Sequence, residues 1–277
     1  MEVKGGNSKP HSNSNIISYI APFGCIIVGY LLYRFVLGAS HRFSEPSSEG
    51  GFFPHHKGPL DGLGAMYEGG FIVPILMGFV LMIIVFSIER FLTISAAKGK
   101  GNNGDFVRNI QLLLADKNVE GALAECDKQK GAVGNVMKAG LSRYKKLIGD
   151  TEYTTDQKLA AIQKEVEEAT ALELPMLQRN LVFLSTLTSL SVLVALLGTV
   201  LGMIKSFAAL GEAGGSAGAS ALAVGIAEAL YNTATGITGG SLAMIMYNVF
   251  TTKIDSITHS IDESGFTLTQ SFASLYK

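Results

Sequence analysis

Charge is scarce in this sequence. Of its 277 residues only 16% are Asp, Glu, Lys or Arg, while 48% are hydrophobic. An ordinary soluble domain carries about a quarter charged residues. The formal net charge is −1 and no basic cluster stands out, so nothing invites nucleic acid. Cysteine is equally scarce. Cys25 and Cys126 lie far apart, which excludes a disulfide framework and a four-ligand zinc site, and both read as ordinary apolar residues. His41, His55 and His56 share a loop without a Cys or carboxylate at a recognisable ligand spacing, so a solvated loop is the simpler reading. The Gly-rich stretch GEAGGSAGAS lacks the Gly-Lys-Ser/Thr ending of a phosphate loop. No nucleophile, base and orienting group can be argued to converge, which leaves an enzyme the least supported class and calls for no cofactor.

What the chain has instead is long apolar runs, and its mean hydropathy is +0.32. Four runs approach the ~20 residues that a helix needs to span ~30 Å of hydrocarbon. They cover Ile16 to Leu37, Phe71 to Leu92, Leu181 to Ile204 and Ala221 to Phe250. Lys4 and Lys9 precede the first run and Gly38-Ala39-Ser40 follows it, as in a cleaved signal peptide. Its apolar region is longer than the usual 7 to 15 residues, which favours a retained anchor.

Orientation follows from the connections. Residues 93–180 hold thirteen Lys/Arg, with Arg90, Lys98 and Lys100 clustered beside the second run. The Gly/Pro/Ser-rich 38–70 segment has only Arg42 and Lys57, and Leu210 to Ser220 has none. Lys and Arg near span ends mark the cytoplasmic side. The central segment and both termini are therefore expected inside, and 38–70 outside as a flexible loop.

The central segment is helical in pattern. Phe106, Ile110, Leu113 and Leu114 share one face, and Val133, Met137, Leu141 and Tyr144 another. Thr154 and Gln157 stand at capping-box spacing. Leu159, Ile162, Val166, Ala169 and Leu172 then recur at three and four, and the pattern runs on into the third apolar run with only Pro175 to bend it. One helix from Thr155 to Leu210 would be about 84 Å long, which implies a long helical stalk.

The last two runs carry the polar groups. Ser185, Thr188, Val192, Ala195, Thr199, Gly202 and Ser206 recur along one line of the third run. In the fourth, Gly225, Glu228, Asn232, Thr235 and Gly239 form one stripe and Ala229, Thr233, Gly236 and Gly240 the next. Gly198/Gly202 and Gly236/Gly240 are GxxxG spacings that let helix backbones approach closely. An ionised Glu at mid-bilayer costs roughly 2.5 to 3.5 kcal/mol, so Glu228 is expected to face a bundle interior or a wet cavity. A shallow packing role stays open, since it lies only ~10 Å into its helix.

The stretches ALLGTVLGMIKSF (195–207) and GIAEALYNTATGITGGSLAMIMYNVF (225–250) resemble the signature of the ExbB/TolQ/MotA proton-channel subunits, most closely ExbB and TolQ. The order of parts is also similar: a span ending in Glu89-Arg90, a cytoplasmic helical domain, then a hairpin of two spans. The resemblance covers roughly Tyr67 to the C-terminus. It implies an all-α integral membrane protein assembling into a ring, of five subunits, in the inner membrane of a Gram-negative cell. The partner implied is a single-span protein like ExbD or TolR, whose membrane Asp takes up and releases protons, with a TonB- or TolA-like protein beyond it. Carried over by motif, Thr199, Glu228 and Thr233 match the polar positions that line the family's pore, with protons as the coupling ion. Ser185, Thr188, Asn232 and Thr235 are further pore-facing candidates, and Gly198, Gly202, Gly236 and Gly240 are helix-packing positions. Val192 and Leu242 stand where family members often carry Pro, and the first span is extra to the usual three of ExbB and TolQ.

These readings divide the chain into a cytoplasmic tail (1–15), an extra N-terminal span (16–37), a periplasmic loop (38–70), a span (71–92), a cytoplasmic helical domain (93–180), a pore-lining hairpin (181–250) and a cytoplasmic C-terminal helix (251–277). No span contains an Asp, so one chain type cannot complete a proton relay alone. Competing classes are a solute transporter, disfavoured by the lack of an internal repeat, and a non-conducting membrane scaffold. TolQ-like envelope maintenance and a motility or secretion motor are alternative tasks for the same channel.

Overall fold

A computed structural model of the chain describes residues 12–47, 52, 54, 56–150, 152–213 and 215–276. Lys4, Lys9, His55 and Gly214 lie outside the described residues. The described residues are 86% helical and form two compact units. One comprises the described residues up to Ser87 together with those of 183–246, the other the described residues of 88–182 and those from 247 onward. Among the described residues three stretches are long and apolar enough to cross a membrane: Ile20–Leu37, Ile72–Ala97 and one within Thr155–Glu212. The expected fourth run lies inside a 62-residue helix. It is not among those three because its Gly, Thr and Asn dilute the apolar character.

The first unit begins with α1 (Ser12–Leu32), which continues as a π-helical turn, Tyr33–Leu37. The 38–70 segment, expected to be flexible, is partly ordered. Strands β1 (Phe43–Glu45) and β2 (Lys57–Pro59) pair antiparallel, with Phe43 opposite Pro59 and Glu45 opposite Lys57. The short α2 (Gly62–Tyr67) is capped by the Asp61 carboxylate, which accepts from the Gly64 N–H at 2.7 Å. An aromatic core explains the order. Tyr33, Leu37, Phe43, Tyr67 and Val73 cluster, the Tyr33 and Tyr67 rings stack at 4.3 Å, and the Tyr67 hydroxyl donates to the Pro54 carbonyl at 2.8 Å. His56, read as a solvated loop histidine, stacks on Phe43 at 4.5 Å and accepts from the Ser47 N–H at 2.9 Å. Its pKa is lowered by burial and then by the Arg34 charge.

The extra helix α1 packs on α3 (Ile72–Ala97) through an unforeseen glycine contact. A Cβ on Gly29 would lie 2.6 Å from the Gly78 nitrogen. α8 (Leu181–Ala213) and α9 (Gly215–Tyr276) complete the unit with their residues up to Met246. α8 extends to Ala213 and α9 starts at Gly215, so the described residues of the Gly/Ala/Ser connection between the last two runs are helical. Without Pro at Val192 and Leu242, both positions are helical.

The second unit contains α4 (Asn103–Ala115), α5 (Val119–Gln129), α6 (Gly131–Ile148) and α7 (Thr155–Gln178). Asn102 and Asn118 cap α4 and α5, and the Thr154/Gln157 capping box closes in both directions at the start of α7. Phe106, Ile110 and Leu114 are buried, as are Val133, Met137, Leu141 and Tyr144. The described residues from 247 onward, the last part of α9, belong to this unit. Ile254, Ile257, Ile261, Leu268 and Phe272 are all buried, and the Phe272 ring meets Tyr144 edge-on at 4.9 Å.

The single helix expected from Thr155 to Leu210 is interrupted. α7 ends at Gln178 and α8 begins at Leu181, with Asn180 at φ +62° between them. Asn is one of the few residues that tolerates this left-handed conformation. Leu172 is also not on the buried stripe; it is 75% exposed.

Candidate functional site

The α8/α9 hairpin is built on the glycines. A Cβ on Gly236 would collide with the Ala195 methyl and lie 2.6 Å from the Ser191 carbonyl oxygen; one on Gly240 would lie 2.7 Å from the Thr188 carbonyl oxygen. Gly202 faces Ala229 at 3.1 Å, and Gly198 faces Ile72 and Asn232. All four glycines therefore sit at contacts within one chain. Gly236 and Gly240 permit a backbone approach that a side chain would block, while Gly198 and Gly202 sit at tight side-chain contacts.

That approach brings Thr199 and Thr233 together. Their hydroxyls are hydrogen-bonded to each other, and the Thr199 Oγ1 also lies 3.1 Å from the Ala195 carbonyl and 3.4 Å from the Ala229 carbonyl. Several other hydroxyls bond only within their own helix, in the way Thr199 also does to Ala195. Thr235 donates to the Tyr231 carbonyl at 2.8 Å, Thr238 to Ala234 at 2.8 Å, Ser206 to Gly202 at 2.7 Å and Thr188 to Ser185 at 2.6 Å. Donating back to a carbonyl three or four residues earlier satisfies the hydroxyl inside its own helix. It makes such groups affordable in an apolar segment.

Asn232, expected to face a pore, is 3% exposed. Its Nδ2 donates to the Gly69 carbonyl at 3.0 Å, while Oδ1 is buried without a partner. The amide is thus used inside the chain, tying α9 to the turn that precedes α3. Ser185 is exposed, and Thr188, Thr199, Thr233 and Thr235 are half-buried.

Glu228 does not join the threonine pair. It lines a cavity of about 920 Å³ with Lys205, Glu68, Tyr33, Tyr67 and His56. The five-residue step from Glu228 to Thr233 turns the helix by about 140°, which separates the two environments. Glu68 and Lys205 were missed by the sequence reading. Each had a signal: Lys205 closes the GMIKSF motif and Glu68 stands just before the second apolar run.

Glu89 and Arg90 form a separate constellation in the second unit. The Arg90 side chain is almost fully buried and ion-pairs with Glu89, its Nε donating to Oε2 at 2.6 Å. It also donates to the Met176 and Leu177 carbonyls at 3.3 and 3.2 Å. Glu89 accepts from Asn180 and Thr93, each at 3.2 Å. The pair therefore caps the end of α7, where unpaired carbonyls and the helix dipole favour a cation, and holds Asn180 at the break.

Comparison with known proteins bears on these groups directly. Residues 128–263 match the MotA/TolQ/ExbB proton channel family, a span that contains Thr199, Glu228 and Thr233. The chain is 31% identical over 184 residues to a putative biopolymer transport protein ExbB-like 3 of Synechocystis, covering 66% of this chain and 81% of that protein. It is 31% identical over 125 residues to the Tol-Pal system protein TolQ of Pseudomonas aeruginosa, covering 45% of this chain and 54% of that one. Over 74 residues it is 36% identical to the biopolymer transport protein ExbB of Salmonella typhimurium, covering 27% and 30%. The match thus spans about half the length of the TolQ relative and less than a third of the Salmonella ExbB.

Proposed function

Because this chain belongs to the MotA/TolQ/ExbB proton channel family, we propose that it is the proton-conducting stator subunit of an inner-membrane motor. It couples the proton gradient to work on an outer-membrane system, in the manner of ExbB. The observation that carries this reading is the hydrogen-bonded pair of Thr199 and Thr233. Two hydroxyls hold two protons to donate, and one of these makes the bond between them. If Thr199 donates to Thr233, the Thr233 proton is free to bind an ionised carboxylate. If Thr233 donates to Thr199, and Thr199 to the Ala195 carbonyl, then the Thr233 oxygen is left to accept from a protonated carboxyl. The pair can solvate both states of a moving acid by rotating two hydroxyls. No charge need be placed on the chain itself.

That acid comes from a partner. No apolar run of this chain contains an Asp, so the mechanism calls for an ExbD- or TolR-like single-span protein with a membrane Asp, held in a homo-oligomeric ring of five copies. A TonB- or TolA-like protein then receives the work. Large apolar side chains exposed along α8, among them Leu193, Leu196, Ile204 and Phe207, support this reading, since so much exposed apolar surface calls for lipid or protein contact. Protons are the coupling ion and no other cofactor is required.

The test is proton flux into liposomes containing the chain and its cognate partner. Flux should require both chains. Glu228→Gln and Thr233→Val should assemble normally yet lose most of the flux, and wild-type flux in both variants would overturn the reading. Similarity to TolQ proteins supports envelope maintenance as the alternative task. Loss of energised uptake on deletion identifies the ExbB-like role; loss of envelope integrity identifies the TolQ-like one.

A further inference from the structure

Family motifs account for Glu228 but not for the groups that share its cavity. Glu68 comes from the turn after α2 and Lys205 from α8. The walls include Tyr33 after α1, His56 beside β2, Tyr67 of α2 and Tyr231 of α9. The 38–70 segment, anchored by its aromatic core, thus contributes directly to the space in which Glu228 sits. Neither Glu68 nor His56 falls within the residues matched to the family.

We propose that Glu68 is a second proton-exchanging carboxyl of this site, sharing a vestibule with Glu228 and taking Lys205 as counter-charge. The proposal rests on the proton-channel reading above and extends its path to residues outside the hairpin. Three observations support it. First, Glu68 is half-buried, and no hydrogen bond among the described residues holds its carboxylate in one form. Second, among the described residues Lys205 makes no ion pair within 4.0 Å, so its charge acts across the cavity and is not consumed by one acid. Third, His56 is held toward its neutral form by burial and by Arg34, which leaves Lys205 as the one Lys or Arg among the described residues that line the cavity.

The consequence is a carboxyl poised to gain and lose a proton. Burial pushes the Glu68 pKa above the usual carboxylate range, while Lys205 pulls it back. Burial without the lysine would lock a proton on; a direct salt bridge would keep it off. With the two influences opposed, Glu68 can take a proton from water at the cavity mouth. It can then exchange that proton, directly or through water, with Glu228.

Two measurements test this independently. In the first, the full-length chain in membranes is treated with a permeant carbodiimide, which modifies protonated carboxyls, across a pH series. Modification at Glu68 and at the exposed Asp262 is read by mass spectrometry. Glu68 should be modified at distinctly higher pH than Asp262, and Lys205→Gln should move the Glu68 midpoint upward while leaving Asp262 unmoved. A Glu68 midpoint equal to that of Asp262, or unmoved by Lys205→Gln, would overturn the proposal. In the second, proton flux through the complex with the cognate partner is compared for Glu68→Gln and Glu68→Asp. Glu68→Gln should lose flux several-fold, and Glu68→Asp, which keeps a titrating group, should recover much of it. Wild-type flux in Glu68→Gln would overturn the proposal. A wild-type complex that passes no protons would refute the channel reading, while the modification profile would still decide whether Glu68 titrates under the control of Lys205.

Discussion

Replacing Gly236 with Ala adds one methyl group where α9 meets the backbone of α8. The new Cβ would collide with the Ala195 methyl and stand 2.6 Å from the Ser191 carbonyl oxygen. Ordinary contact begins at 3.4 Å, so the helices must separate locally by roughly 1 Å if ordinary packing is to return. Neither obstacle is the free end of a flexible chain: one is a methyl fixed to its backbone and the other is backbone. Overpacking of this kind costs about 1 to 3 kcal/mol. Against that, Ala regains about 1 kcal/mol of helix propensity over Gly. Gly211→Ala supplies the reference, because a Cβ there meets nothing within 4 Å and receives the propensity gain alone. Thermal unfolding of the two variants in mild detergent therefore isolates the contact. Gly236→Ala should melt several degrees below Gly211→Ala, at roughly 2 to 4 °C per kcal/mol for a chain of this size. Equal melting temperatures would refute the intramolecular contact, and Gly236→Leu should exceed the alanine effect.

Three further outcomes are expected. Single cysteines at Ser47 and Ser142 should react oppositely with an impermeant thiol reagent in whole cells, Ser47→Cys labelling and Ser142→Cys not; labelling at Ser142→Cys alone would invert the orientation. The native Cys126 is 2% exposed and its pKa is pushed up to about 12 by burial first and the neighbouring Asp127 second, so it should resist alkylation at pH 8 until the chain is unfolded, and rapid labelling of folded protein would contradict its placement. Arg90→Ala removes a buried guanidinium from Glu89 and from two helix-end carbonyls, which should destabilise the chain by about 3 to 5 kcal/mol; Arg90→Lys should not restore it, because an ammonium cannot reproduce the planar fork of donors, and full stability of either variant by denaturant unfolding would rule out the latch.

Local rules in the sequence translated well where the interaction was local. The capping box of Thr154 and Gln157 needs only three residues of separation, and Phe106, Ile110, Val133 and Met137 needed only helical periodicity to be read as core. The break at Asn180 was hidden because its cause lies 91 residues away, where Glu89 accepts from its side chain; the visible breaker, Pro175, sits inside α7 instead. Glycine spacing announced a close approach at Gly236 and Gly240, yet spacing does not say whether the neighbour is the same chain. Asn232 read as a pore residue because its stripe included Glu228, and only the fold-back of Gly69 shows where its amide goes. Glu68 and His56 come from the 38–70 segment, whereas Lys205 and Glu228 come from α8 and α9. No single stretch of sequence contained their cavity.

The central claim is that Thr199 and Thr233 act as one unit on a partner's moving acid. It is tested most directly by proton flux through the reconstituted complex for Thr199→Val, Thr233→Val and the double variant. A hydroxyl pair that works by rotating together loses its function when either member is removed. Each single variant should therefore lose nearly as much flux as the double one. Losses that multiply independently, or flux that survives in either single variant, would contradict the account.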